Sequence, residues 1–216
     1  MAKRQTNGED RARRVLAQEA ARIIVEQGIA DYRVAKMKAA ERLGMSSHGA
    51  LPGNSEIESA VAEHLQLFGR ELHIDLLRVL RESALAAMEM LAPFTPRLVG
   101  PVLQGTASAS SPVNLHVFAD SAELIAFQLQ DRSVPYRAFE RRLKSRRDKA
   151  ETFAAFRFAQ GESSIEATVF PVDGVRQAPI SPIDGKPMQR ADTAAIHRLL
   201  EQRPQERNQT IRDDRL

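Results

Sequence analysis

Three groups of residues in this 216-residue chain have types and spacings that suit chemistry. The first is the segment 100–118, GPVLQGTASASSPVNLHVF, in which Gly100 and Gly105 bracket a turn and Thr106, Ser108, Ser110 and Ser111 supply hydroxyls. Glycines let a backbone approach a ligand closely, and a turn rich in N–H groups and hydroxyls suits a phosphate. The same small residues also suit a plain strand–loop–strand connection. The second group is the polar set that alternates with Val113, Leu115 and Val117, namely Asn114 and His116, together with Glu166 in the later run IEATVF. His116 could bind a ligand or act as a base, which makes it a candidate catalytic residue, although a lone histidine on a strand is more often structural. The third is a basic cluster over 137–149, with Arg137, Arg141, Arg142 and Lys144 at its centre and Arg146, Arg147 and Lys149 beyond. Such a cluster can hold phosphates, or it can be a solvated strand end kept soluble by charge.

Other constellations fail. Ser46-Ser47-His48 has nothing to orient its histidine, no nucleophile elbow or P-loop occurs, and the five histidines lack metal-ligand spacing. No cysteine is present, which removes disulfides, thiolate zinc sites and a cysteine nucleophile, and suits a cytoplasmic location. The polar N-terminus has no apolar core of a secretory signal, and no apolar run nears the roughly 20 residues of a membrane span. An apolar content of 43% suits a globular chain, and a net charge of +3 does not by itself indicate nucleic acid.

The elements that must position these groups divide in two. Residues 1–9 are expected to be disordered. A helical region over 10–92 starts with Val15, Leu16, Ile23 and Ile24 at helical spacing and Gly28 behind them. Asp31 opens a second helix that ends at Gly44, and Ser55 with Glu58 forms a capping box for a third. Ile57, Val61, Leu65 and Phe68 line its face, and the longest pattern, 72–91, carries Ile74, Leu77, Leu80, Ala84 and Met88 on one stripe. From Pro96 the texture changes. Residues 113–118 alternate as a strand, Asp120 and Glu123 resemble a cap, 135–143 reads as a strand, and 152–159 with 164–170 reads as a hairpin. Residues 172–203 form a Pro/Gly-rich loop and a last helix, followed by a polar tail over 204–216 expected to be disordered. The fold class is α+β, with N-terminal helices followed by a small mixed sheet.

The 95–171 region resembles the nucleotidyltransferase superfamily. That signature is a Gly-Ser, three residues, a Gly, then a loop ending in Ser-Asp-x-Asp on a strand. Gly100 and Gly105 fall on its glycines, Ser111 on the serine before the first aspartate, and the strand and following helix come in order. The resemblance implies a phosphate-binding turn of Gly100, Gly105, Thr106, Ser111 and Asn114, with Glu166, at the place of a third carboxylate, as a further candidate catalytic residue. Pro101 stands at the family's phosphate-binding serine, and Pro112 and Asn114 stand at its two metal-binding aspartates. Proline offers no side-chain ligand and asparagine only one neutral oxygen, whereas divalent magnesium prefers carboxylates. No metal site is therefore expected, and Mg2+ enters only if the site is active. The leading expectation is a nucleotidyltransferase-like protein without two-metal catalysis that binds nucleotide or RNA phosphate. The alternatives are an active transferase rearranged around Asn114, His116 and Glu166, and a helical module whose 57–68 and 72–91 faces bind a protein partner.

Overall fold

The computed structural model describes residues 2–29, 31–45, 51–68, 70–146 and 149–201. Ser46, Ser47, His48, Arg147 and the 204–216 tail lie outside them. The chain is α+β, with helices first and a five-stranded mixed sheet after. No helix among the described residues is long and apolar enough to cross a membrane. Contacts divide the chain into two units. Unit 1 is Met1–His73 with Gly105–Ser111 and Ser181–Lys186, and unit 2 is the remainder.

Unit 1 is built on helices α1 (Ala2–Gln27), α2 (Tyr32–Arg42) and α3 (Asn54–Phe68). Helix α1 begins well before Asp10 because Ala, Lys, Arg and Gln in its first turns are good helix formers. Its buried stripe is Leu16, Ala17, Ala20, Ala21 and Ile23, while Val15, expected inside, is exposed. Ala35, Ala39 and Ala40 of α2 and Ile57, Ala60, Val61 and Leu65 of α3 complete one core. The alanines set the packing here, since small side chains let helices approach closely. Asp31 caps α2 as expected, its Oδ1 accepting from the N–H groups of Arg33 at 2.8 Å and Val34 at 3.2 Å. Left-handed Gly44 ends that helix, and the Met45 N–H bonds the Ala40 carbonyl across it at 2.9 Å.

The capping box of α3 lies two residues earlier than expected. Glu56 reaches back to the Gly53 N–H at 2.7 Å, so Ser55 and Glu58 are not its members. Glu58 instead accepts from the hydroxyls of Tyr32 and Thr106. Burial, followed by this bond to Glu58, raises the Tyr32 hydroxyl far above its usual range. The faces expected to meet a protein partner are largely spent within the chain, with Ile57, Val61 and Leu65 in the unit 1 core and Leu77, Leu80, Ala84 and Met88 buried on α4 (Arg70–Met90).

Unit 2 carries the sheet. Strand β1 (Arg97–Val99) leads through a short helix, α5 (Pro101–Gln104), to β2 (Val113–Phe118). Helix α6 (Ala122–Asp131) follows, with Ser121 at its N-cap rather than Asp120 and no side-chain cap bond. Then come β3 (Tyr136–Arg146), β4 (Lys149–Gln160) and β5 (Ser163–Phe170), and finally helix α7 (Thr193–Glu201). The sheet order is β1-β2-β5-β4-β3, antiparallel except between β2 and β5. Period-two alternation sends Val113, Leu115 and Val117, with Ile165, Ala167 and Val169, to one buried face. The opposite face receives Asn114, His116 and Glu166. At the β1 edge, Leu98 and Ala191 exchange backbone bonds of 2.8 and 2.9 Å, which covers that edge.

Candidate functional site

The parallel β2/β5 register puts Asn114 beside Glu166, and the antiparallel β4/β5 register puts Arg157 on its other side. Val99 and Arg137 extend the same cross-strand row to both edges of the sheet. Side chains in such a row share a face, so residues far apart in sequence meet. The Glu166 side chain is 5% exposed, and both of its oxygens are engaged. Oε1 accepts from Arg157 Nε at 2.9 Å and Nη2 at 2.6 Å, and Oε2 accepts from Arg141 Nη2. Arg141 Nη1 also donates to Asn114 Oδ1 at 2.8 Å, while Asn114 Nδ2 donates to the Pro112 carbonyl at 3.2 Å. The Arg141 and Arg157 guanidiniums lie 5.6 and 5.4 Å from the Phe139 ring centroid, which helps hold the fork in place.

Gly100 sits against this group. Its φ is +73°, and a Cβ there would be 3.5 Å from Asn114 Nδ2, an ordinary contact. Backbone conformation therefore requires the glycine, and space does not. The remaining residues of the turn belong to unit 1. The Gly105 carbonyl is 3.0 Å from His73 Nε2, Thr106 donates to Glu58, and Ser111 Oγ accepts from the Ser108 N–H at 2.9 Å. The structure thus brings Gly100, Asn114, Arg141 and Glu166 together, and places Gly105, Thr106 and Ser111 in the other unit, where the Gly105 carbonyl and the Thr106 and Ser111 hydroxyls are bonded.

His116 shares the strand face but is 3% exposed. Its Nδ1 accepts from Arg190 Nε at 3.1 Å, and its ring lies 4.5 Å from that of Phe170. Burial, with the charges of Arg190 and Arg141 nearby, pushes the imidazole down to about 3. It is a neutral acceptor that anchors an arginine, an environment unlike that of a solvent-accessible base near neutral pH. Arg190 also donates to the carbonyls of Gly174 at 2.9 Å and Val175 at 3.1 Å and stacks over Phe118 and Phe170. Burial and then Arg97 lower it to about 10.

Of the basic cluster, Arg141 enters the site, Arg137 is exposed at the edge of the row, and Arg142 and Lys144 project from the other face of β3. Sequence reasoning missed Arg157 and Arg190. A single cation between Phe156 and Phe158 marked Arg157, whereas nothing local marks Arg190 in its loop. The residues do not fit a pair of divalent cations. The Pro112 side chain has no ligand atom, and Asn114 Oδ1 and both Glu166 oxygens already face guanidinium N–H groups. Among the described residues, no three His, Asp or Glu side chains gather as a ligand set. Searches of family models, curated proteins and solved structures return no match to this chain.

Proposed function

We propose that unit 2 is a nucleotidyltransferase-like domain that binds the phosphates of a nucleotide or of RNA and transfers nothing. The observation that carries this reading is the guanidinium pair at Asn114 and Glu166. The fold implied by the resemblance uses these positions to gather positive charge from metal ions, and here Arg141 and Arg157 supply positive charge from the chain itself. A guanidinium gives charge-assisted hydrogen bonds to phosphate oxygens and remains charged at any physiological pH. Arg157, whose side chain is 52% exposed, is the member a ligand reaches, with exposed Arg137 opposite it in register. Arg137, Arg141 and Arg157 lie in or beside the row that holds the Glu166 carboxylate, so an incoming phosphate meets a net positive local field.

Displacement of a fluorescent nucleotide by ATP tests this. Affinity should be the same in EDTA and in Mg2+, and should fall steeply with salt. Arg157→Ala should weaken it roughly tenfold or more, the loss of charge-assisted bonds of about 1.5–3 kcal/mol. Metal-dependent release of pyrophosphate, abolished in Glu166→Ala, would overturn the proposal in favour of an active transferase.

A further inference from the structure

The β3–β4 hairpin is longer than the sheet that holds it. Strand β5 pairs with β4 only over residues 155–160, so residues 149–154 of β4 and 140–146 of β3 extend as a two-stranded ribbon. Its end is fixed from the side, because the Ile180 N–H bonds the Lys144 carbonyl at 2.7 Å. One ribbon face carries Glu140, Arg142 and Lys144 on β3, and opposite them Ala154, Thr152 and Ala150 on β4, all exposed. Arg142 and Lys144 have no ion-pair partner among the described residues. The acidic Glu151, which pairs with Lys149 at 3.8 Å, sits opposite Leu143 and so belongs to the other face.

We infer that this ribbon face is a docking site for the sugar–phosphate backbone of a nucleic-acid duplex, and that it reads charge and not sequence. Cations on alternate residues of a strand repeat every ~6.8 Å, twice the axial rise per nucleotide of a duplex strand. Ala150, Thr152 and Ala154 leave the neighbouring strand low, so a phosphate can approach the backbone beside each cation. A ribbon of two strands also fits the major groove of B-form DNA, about 12 Å wide. No aromatic side chain stands on this face, so it offers no stacking platform of the kind that holds single strands. Phosphate contacts of this type carry no sequence information. The site lies on the opposite side of β3 from Arg141 and does not depend on the nucleotide reading above.

The test is fluorescence anisotropy of the full chain with duplex DNA, duplex RNA and single strands of equal length, over a salt series. Either duplex should bind more tightly than the single strand, and the DNA and RNA arms identify which backbone is preferred. Arg142→Ala with Lys144→Ala should weaken duplex binding at least tenfold at low salt. It should also make the slope of log K against log salt shallower by about 1.8, the release of two phosphates' counterions. Arg142→Lys with Lys144→Arg should restore both. The alanine pair should leave ATP displacement unchanged, so failure of this inference and failure of the nucleotide reading are separable. An unchanged salt slope, tighter binding to single strands, or equal binding to polyglutamate would each overturn it. Circular dichroism confirms that the variants fold.

Discussion

A histidine on a strand beside an asparagine and a glutamate has the makings of a base, yet the environment of His116 assigns it otherwise. The folded state holds its imidazole neutral down to about 3, whereas in the unfolded chain it takes up a proton near 6.5. The sign follows from linkage. Above about pH 6.5 both states leave it neutral and the group contributes no pH dependence. As pH falls, the unfolded chain gains a proton that the folded chain refuses, so stability drops by up to about 1.4 kcal/mol per pH unit, levelling below about 3. His116→Asn keeps an acceptor for Arg190 Nε and removes the titration, so urea midpoints of this variant should fall less steeply from pH 6.5 to 4 than those of the parent. In NMR, the His116 ring resonance should not move between pH 5 and 8. A resonance titrating near 6.5 would return His116 to the list of available bases.

At the scale of elements, glycines at helix ends separate backbone strain from crowding. Gly28, after α1, and Gly44, after α2, both hold positive φ, +65° and +61°. A Cβ at Gly44 meets nothing within 4 Å, while one at Gly28 falls 2.3 Å from Ser110 Oγ and 2.8 Å from its Cβ. Gly44→Ala should therefore cost only the left-handed penalty, about 1–2 kcal/mol. Gly28→Ala should cost that plus an overpacking term of about 1–3 kcal/mol, and Ser110→Gly in the same chain should recover the second part. Urea denaturation at constant m reads the difference, and equal losses for Gly28→Ala and Gly44→Ala would refute it. Signals carried within a few residues were legible in the sequence: the Asp31 cap, the Gly44 stop, and the alternation of β2 and β5. The stripe of α1 was misread because Ala17, Ala20 and Ala21, not Val15, meet α2 and α3. The arginine site was half legible for a topological reason. Asn114 and Glu166 were visible as polar positions on strands, but the reach of Arg141 to both depends on β5 lying between β2 and β4, which no local pattern encodes.

At the scale of the whole chain, the two units alternate along the sequence. Unit 1 includes Gly105–Ser111 and Ser181–Lys186 in addition to its helices. From these segments Thr106 bonds Glu58, the Gly105 carbonyl meets His73 at 3.0 Å, and the Pro182 carbonyl accepts from Asn54 Nδ2 at 2.7 Å. A fragment of residues 1–92 lacks all three. It also keeps Leu77, Leu80, Leu85 and Met88 of α4 while losing the sheet unit to which they belong. Buried leucine and methionine side chains lose about 1.5–3 kcal/mol each when returned to water, so the fragment should hide this stripe by self-association. Sedimentation should show a concentration-dependent oligomer for 1–92 and none of that association when the full chain is run at the same concentrations. Amide exchange in α1 to α3 should be faster in the fragment by at least tenfold, the consequence of about 1.4 kcal/mol or more of lost local stability. A monomeric 1–92 chain with the exchange rates of the full protein would mean that the two inserted segments contribute nothing to unit 1. Capture of another protein by this fragment would then report a native surface and not an uncovered core.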